Sequence, residues 1–189
     1  LIELDEYVRR RILHKPSAKE IAEEVEELDS DDAADIIGEL SEERQEAVMS
    51  QIENEEHVKE IEELLTYDED SAGGLMAKEL VKVNENWNVL KCVREMRSQA
   101  EEVTRVHSIY VVDNNDKLKG RLSLKDLLIT STKTAISEVY IPKVDYVNVH
   151  DDLDEVSNKM RKYDLEAIPV VDNDGILLGR ITIDDIVDI

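Results

Sequence analysis

Phenylalanine is absent from this sequence of 189 residues, and aromatic residues make up only 4% of it. The single cysteine, Cys92, excludes an internal disulfide and the paired cysteines of a zinc site, and it suits a reducing compartment. No apolar run approaches the roughly 18 residues that a membrane-spanning helix needs, and no secretion signal is present. Because the sequence begins with Leu1 rather than methionine, we expect a fragment of a longer protein.

Negative charge dominates what is present. The net charge is −23, and it is concentrated in residues 1–66, which hold 22 acidic and 7 basic residues and so carry −15. Residues 67–189 hold 24 acidic and 16 basic residues and carry −8. Such a field repels nucleic acids and anionic membrane surfaces and attracts cations. We therefore expect neither a nucleic-acid partner nor direct membrane insertion by this part of the protein.

Residues 1–66 have the periodicity of short helices, as Ile21, Val25 and Leu28 illustrate. The hydroxyl residues Ser17, Ser30 and Ser41 each precede such a pattern, with acidic residues in the following turn, and are predicted N-caps that set the helix starts. We predict an acidic, all-α N-terminal domain of antiparallel helix pairs stacked as a small superhelix, with its first helix truncated. The breaker YDEDSAGG then predicts a hinge over residues 67–75.

An internal repeat organises the remainder. Residues 111–128 (VVDNNDKLKGRLSLKDLL) and 170–187 (VVDNDGILLGRITIDDIV) are identical at eight of eighteen positions. Each copy is predicted to form a strand, a turn, a strand and a helix, within repeats that span residues 76–135 and 136–189. The first repeat carries a five-residue insertion around Glu101–Thr104. The predicted fold class is α+β, with an all-α superhelical domain followed by two β-α-β-β-α units that pack together.

Two acidic stretches superficially resemble calcium loops. Asp113–Asp116 and Asp172–Gly175 have apolar residues where an EF-hand would have ligands, so we predict hairpin turns at both places. The histidines have no spacing typical of a metal site or a catalytic triad, and we predict structural roles for all of them: His14, His57, His107 and His150. No paired nucleophile and base, and no catalytic phosphate loop, is visible, so we do not expect an enzyme.

Two sets of residues carry a family resemblance. The repeated pattern of paired valines, Asp, Leu, Gly, a hydroxyl residue and Asp resembles the CBS domain, which occurs in tandem pairs that bind adenine nucleotides or act as regulatory switches. A more specific resemblance comes from the order of four segments: LLTYDEDSAGGLM, NENWNV, SLKDLL and YDLEAIPVVDNDGILLGRITIDDIVDI. This order is similar to the cytosolic part of MgtE-type magnesium transporters, from about Leu28 to Ile189.

That resemblance implies a magnesium sensor on the cytoplasmic side of the cell membrane, dimeric through its CBS domains and followed in the same chain by a transmembrane pore domain. Magnesium would bridge acids of the N-terminal domain and the CBS pair, favouring a compact state that closes the pore. The aspartates that the resemblance assigns to magnesium are Asp31, Asp35, Asp152, Asp154, Asp164, Asp185 and Asp188.

The chemistry of these residues leaves an alternative open. Asp31 and Asp35, and likewise Asp185 and Asp188, are spaced to share one helix face, and magnesium prefers such carboxylates together with retained waters. Carboxylates in a first helical turn are also stabilised by the helix dipole alone, which accounts for Asp31 but not for Asp35.

A nucleotide is the second ligand that the resemblance implies. The CBS pattern places Ser123 near phosphates and Asp126 near ribose hydroxyls, and Lys125 would neutralise phosphate, so ATP is a possible further ligand at these three residues. The same serine is equally explained as a helix cap. The rival functions are therefore an adenine-nucleotide sensor with a merely solvated acidic surface, and a passive dimerisation scaffold.

Overall fold

A helical N-terminal part precedes two repeats of mixed strands and helices. The computed structural model describes residues 4–101 and 108–187. The helices of the N-terminal part are α1 (Glu6–Leu13), α2 (Ala18–Glu26), α3 (Ser30–Gly38), α4 (Glu42–Gln51) and α5 (Glu55–Leu65). They pack in alternate order, α2 against α4 and α3 against α5, as the predicted superhelix requires. Their core is aliphatic and includes Ile21, Ile36 and Ile61, all fully buried.

Side-chain caps fix where most of these helices begin. The hydroxyl of Ser17 accepts a hydrogen bond from the backbone of Glu20 (3.1 Å), and Ser41 caps α4 in the same way. The prediction for Ser30 was wrong by one position, because Asp29 is the N-cap of α3 and Ser30 is its first residue. The Asp29 side chain makes no capping bond, and a carboxylate from a distant part of the chain binds the helix start instead, as described below.

The connection after α5 is more tightly packed than a loose hinge. It contains a short helix, α6 (Ala72–Leu75), whose Ala72 and Gly73 amides donate to backbone carbonyls of Asp151 and Val149 at 2.8 and 2.9 Å. A Cβ at Gly73 would lie 2.6 Å from the ring of Tyr67 and 2.8 Å from a methyl carbon of Val149 in the second repeat. Glycine is therefore needed here for close approach to the second repeat, and only the acidic residues before Ser71 are exposed.

Each repeat has the predicted β-α-β-β-α order. The first contains β1 (Val81–Asn84), α7 (Val89–Ala100), β2 (Ile109–Val112), β3 (Leu118–Leu122) and α8 (Leu124–Ile129). A 3-10 turn (Ile136–Glu138) leads to β4 (Val147–Asn148), α9 (Leu153–Lys162), β5 (Ala167–Val171), β6 (Leu177–Thr182) and α10 (Ile183–Val187). In both repeats the first two strands are parallel and the last two antiparallel.

The two repeats complete each other's sheets. Ala77 of the first repeat, which precedes β1, exchanges backbone hydrogen bonds of 2.8 and 2.9 Å with Arg180 on β6 of the second. Ile141 of the second repeat, which precedes β4, exchanges bonds of the same kind with Arg121 on β3 of the first. The hairpins also meet, at Lys117 and Ile176. The repeats therefore pack as one unit, as their small individual cores led us to expect.

The two acidic stretches are hairpin turns, as predicted. The Oδ1 atom of Asp113 accepts hydrogen bonds from the backbone of Asn115 and Lys117 (2.8 and 3.0 Å), and Asp172 does the same in the second repeat. The first aspartate of each turn is thus occupied in holding the turn itself. Residues 102–107, which carry most of the insertion expected at Glu101–Thr104, lie outside the described residues.

One apolar core joins the N-terminal helices to the second repeat. Buried residues of α2 to α5 are continuous with Val149, Val156, Ile168 and Ile181. The first repeat has a separate core that includes Cys92, whose burial raises the pKa of its thiol to about 11. The start of α3 is thereby joined to the second repeat, where Asp29, its N-cap, lies 3.5 Å from Arg180 on β6.

Candidate cation site between the helices and the second repeat

A strongly acidic cleft lies between the N-terminal helices and the second repeat. Its volume is about 1240 Å³, and Arg9 and Arg180 are the basic residues in its lining. The acidic residues of the lining, which we call the acidic cleft, are Asp5, Glu6, Asp29, Asp31, Asp32, Asp35, Glu39, Glu69, Asp70, Asp184 and Asp185. Eleven acids against two bases give a site that attracts cations.

A remote carboxylate fixes the start of α3, which supplies the central acids. Glu79, just before β1 of the first repeat, accepts hydrogen bonds from the backbone nitrogen and the hydroxyl of Ser30, both at 2.8 Å. The hydroxyl of Ser30 also accepts from the backbone of Lys78 at 2.9 Å. The first turn of α3, with Asp31 and Asp32, is therefore held rigidly at the junction of the two parts.

The opposite wall comes from β6 and α10. One carboxylate oxygen of Asp185 accepts hydrogen bonds from the backbone nitrogen and the hydroxyl of Thr182, at 2.8 and 3.0 Å, which leaves its other oxygen available to the cleft. Arg180, which is 7% exposed, lies 3.5 Å from the carboxylate of Asp29 and links the two walls. These two bonds from Thr182 thus fix the orientation of the Asp185 side chain in the first turn of α10.

Burial and mutual repulsion shift the acidity of the central aspartates. Burial, followed by the charges of Asp32 and Asp185, raises the pKa of Asp31 well above its usual range. Burial together with Asp185 raises the pKa of Asp32 to about 7. Desolvation by the cleft walls raises the pKa of Asp35 to about 6, although the guanidinium of Arg9 opposes it. The cluster therefore favours a proton or a cation over bare negative charge.

A hard divalent cation suits this arrangement. The donors from α3 and α10 are carboxylate oxygens, the kind that magnesium prefers, and the cleft has room for the waters that magnesium retains. Among the described residues, neither wall presents a cysteine or histidine to the cleft, so a softer ion has no preferred ligand in it.

Comparison with known proteins identifies the family. The family model of the MgtE intracellular N domain matches residues 1–70, and that of the CBS domain matches residues 72–131 and 136–189. A crystal structure of the soluble part of a magnesium transporter aligns with a TM-score of 0.87 and 32% identity, over 100% of this chain and 73% of that one. The chain belongs to the MgtE family.

MgtE relatives with full-length sequences extend well beyond this chain. The MgtE magnesium transporter of Thermus thermophilus is 43% identical over 69% of this chain and 29% of its own length. That of Bacillus subtilis is 29% identical over 99% of this chain and 41% of its own length. The chain thus spans less than half of the curated relatives that it matches. Within residues 4–101 and 108–187, no helix is long and apolar enough to cross a membrane.

Other matches involve only part of the chain. An inosine-5'-monophosphate dehydrogenase of Nitrosopumilus maritimus is 30% identical over 58% of this chain. A homoserine O-acetyltransferase of Methanobrevibacter ruminantium is 36% identical over 43%. These are partial matches to the CBS portion, so they carry no enzymatic activity over to an MgtE chain.

The acidic cleft brings together three of the seven aspartates predicted for magnesium, Asp31, Asp35 and Asp185. The structure places three others elsewhere. Asp152 caps α9 by accepting a hydrogen bond from the backbone of Glu155 at 2.9 Å, and Asp154 and Asp164 are exposed on the surface. The seventh, Asp188, lies outside the described residues. All seven assignments remain predictions.

Sequence reasoning missed Asp29 and Asp32, which line the same cleft. Asp32 adjoins Asp31 in the SDDAAD motif. It was left out because the acids were selected by their spacing on one helix face, and a prediction that included every carboxylate of the motif would have contained it. Asp29 had no comparable signal, because its importance comes from Arg180, a residue of the second repeat that is remote in sequence.

The residues predicted for a nucleotide lie at the start of α8 in the first CBS domain. Ser123 is the N-cap of α8 and its side chain makes no capping hydrogen bond. Lys125 is exposed and Asp126 is half-buried. In the second CBS domain the equivalent hydroxyl, that of Thr182, is bonded to Asp185, so the two repeats of this MgtE chain differ at equivalent positions.

Proposed function

We propose that this chain is the cytosolic magnesium-sensing region of a magnesium transporter, on the cytoplasmic side of the cell membrane. Mg²⁺ bound in the acidic cleft bridges Asp31 and Asp35 of α3 to Asp185 of α10 and favours a compact state. That state closes a pore formed by a transmembrane domain of the same chain. The observation that carries the proposal is the facing of these carboxylates across one cleft of net negative charge.

Electrostatic repulsion between the carboxylates makes the closed state depend on a bound cation. Without divalent cations, the carboxylates of α3 and Asp185 repel each other across the cleft, and the raised pKa values of Asp31, Asp32 and Asp35 reflect that repulsion in part. A cation between them reverses the sign of the interaction. A ligand that binds the closed form more tightly than the open one shifts the population toward the closed form.

The comparisons support the magnesium part of this proposal. The relatives that match most of the chain are called magnesium transporters. A second solved structure, the cytosolic domain of the Mg²⁺ channel MgtE in complex with ATP, has the same 32% identity but a TM-score of 0.68. Equal identity with TM-scores of 0.87 and 0.68 fits a family whose parts adopt more than one relative arrangement.

The test combines compaction with protease protection. Excess Mg²⁺ is expected to reduce the radius of gyration in small-angle X-ray scattering and to slow cleavage in the exposed segment between Thr66 and Ser71. The double variant Asp31→Asn, Asp185→Asn is expected to lose both responses. The control variant Asp174→Asn changes an exposed acid of a hairpin turn and should respond like the unmodified chain. Equal radius and cleavage rate with and without Mg²⁺ in the unmodified chain would refute the proposal.

Dimerisation through the CBS domains is part of the proposal. The equivalent helices α8 and α10 carry exposed apolar side chains: Leu124, Leu128 and Ile129 on α8, between 57% and 78% exposed, and Val187 on α10, 72% exposed. Apolar residues clustered on one helix surface, as on α8, indicate an interaction site. A second copy of the chain is the occupant that we propose.

A second ligand is favoured by one observation. Because the cap hydroxyl of Ser123 has no bond to its helix, while that of Thr182 is bonded to Asp185, the first CBS domain keeps a donor for a phosphate beside Lys125. We propose an ATP site there. Calorimetric titration with ATP is expected to show binding that Lys125→Ala weakens without altering the Mg²⁺ response. ATP binding that is unchanged by Lys125→Ala contradicts this assignment.

A further inference from the structure

A separate group of metal-binding side chains lies where α5 meets the segment that enters the first CBS domain. His57 and Glu60 are one turn apart on α5, and Glu79 approaches them from that segment. One ligand atom from each of the three lies within 4.8 Å of those of the other two. None of the three lines the acidic cleft.

The imidazole of His57 is oriented as a ligand would be. The side chain is buried, and its Nε2 atom lies 3.4 Å from the backbone carbonyl oxygen of Val25. An N–H at Nε2 that points to this carbonyl leaves the lone pair of Nδ1 directed at Glu60, whose Oε2 atom is 3.8 Å away. That separation is longer than a hydrogen bond. A carbonyl behind the distal ring nitrogen is the usual support of a metal-binding histidine.

Glu79 is held in place but keeps capacity to bind. Each of its oxygens accepts one hydrogen bond from Ser30, and a carboxylate has about four acceptor positions, so about two remain. The neighbouring cation does not neutralise the group, since the ammonium of Lys78 is paired with Glu63 at 2.9 Å.

We propose that His57, Glu60 and Glu79 bind a d-block divalent cation of the zinc type, through Nδ1 of the imidazole and one oxygen of each carboxylate. An imidazole nitrogen selects such ions over magnesium, which prefers oxygen. Ligand bonds of about 2.0 Å in a tetrahedral site place ligand atoms about 3.3 Å apart, so the group contracts on binding. Glu60, whose side chain is 25% exposed, can make that movement and leaves an open position for water.

The position of this site extends the proposed function rather than repeating it. Glu79 binds Ser30, and Ser30 is followed in the chain by Asp31 of the acidic cleft. An ion at His57 therefore fixes the carboxylate that holds the start of α3. The site adds a second cation, of a different chemical class, to the contact between the N-terminal domain and the CBS pair.

The test is a titration of the whole chain with Co²⁺ and with Zn²⁺ in excess Mg²⁺, which keeps the acidic cleft occupied. One tightly bound ion per chain is expected, with the visible absorption of four-coordinate Co²⁺. His57→Gln and Glu60→Gln are each expected to weaken binding at least about 10-fold, the lower end of the loss caused by removing even a group that supports a ligand. The matched controls His14→Gln and Glu62→Gln alter exposed residues and should bind like the unmodified chain.

Two results overturn the inference. One is equal affinity in His57→Gln, Glu60→Gln and the unmodified chain, with circular dichroism confirming that the variants are folded. The other is loss of Co²⁺ binding in the double variant Asp31→Asn, Asp185→Asn, which would place the ion in the acidic cleft. Retained Co²⁺ binding by that variant, together with an unmodified chain that does not respond to Mg²⁺, would instead refute the magnesium proposal alone.

Discussion

Burial in the folded protein disfavours the charged form of Asp32 and raises its pKa to about 7. Because the folded-state pKa is raised above the ordinary value of 3.8, the folded state prefers the protonated form. The stability that this provides is fully present below the ordinary pKa and is lost as the pH rises through about 7. Asp35, with a pKa of about 6, adds to the same trend.

We therefore predict that Asp32→Asn stabilises the metal-free chain near neutral pH but not in acid. In the presence of a chelator, the gain is expected to be on the order of 1 kcal/mol at about pH 7.5 and close to nothing at about pH 4. Thermal unfolding at the two pH values measures it, with Asp174→Asn as the control. A gain of equal size at both pH values would mean that the charge of Asp32 is not responsible.

Arg180 shows why the roles of individual residues could be predicted only in part from the sequence. Arg121 and Arg180 are equivalent in the two repeats, and the sequence treats them alike. The structure buries Arg180 against Asp29, the residue that precedes α3, and leaves Arg121 exposed. The carboxylates of SDDAAD and TIDD could be predicted as candidates from their spacing and the family resemblance. Their meeting in one cleft depends on a domain contact that spacing does not encode.

The strands β6 and β3 each have one glycine packed directly against the backbone of another segment. A Cβ at Gly179 would lie 2.4 Å from the backbone oxygen of Ala77 and 3.0 Å from the sulfur of Met76. A Cβ at Gly120, the equivalent position on β3, would lie 2.3 Å from the backbone oxygen of Ile141. Glycine at this position is thus required in both repeats by the segment that arrives from outside the repeat.

Gly179→Ala is predicted to destabilise the chain by about 2–4 kcal/mol, since the contact is with backbone and cannot be relieved by a side-chain rotation. Gly120→Ala should cost a similar amount. The comparison variant is Gly38→Ala at the end of α3, where a Cβ would make an ordinary contact of 3.6 Å with Leu65. Urea unfolding gives the three values, and a loss at Gly179 no larger than that at Gly38 would contradict the close approach.

The elements themselves were predictable, and the contacts between them were less so. The repeat at an offset of 59 residues gave both β-α-β-β-α units, and the turns after Val112 and Val171 followed from their aspartates. Three features did not follow from local pattern: the capping of α3 by Glu79, the packing role of Gly73, and the pairing of Ala77 with Arg180. The first and third features join residues more than 45 positions apart in the sequence, and the packing of Gly73 depends on side chains outside its own helix.

At the scale of the whole molecule, the proposed dimer can be tested through α8. Leu128→Glu places a charge on a side chain that is 78% exposed, so it should not disturb the fold of a single chain. We predict that it converts the dimer to a monomer in analytical ultracentrifugation, because a buried unpaired charge costs several kcal/mol at an interface. Tyr7→Glu alters a residue on α1 with 74% exposure and is the control. A dimer that persists in Leu128→Glu would move the interface away from α8.

The bonding of β6 also sets an order of assembly during translation. Arg180 bonds to Ala77 and pairs with Asp29, yet 151 positions of sequence separate it from that aspartate. At about 5–20 residues per second, a ribosome needs about 8 to 30 seconds to reach it. Through that interval the nascent acidic helices have neither their basic partner nor the strand on which they pack. Residues 1–66 hold 22 acidic and 7 basic residues, so cations around the ribosome must neutralise the excess negative charge. The ionic medium therefore acts on this chain before its cleft exists.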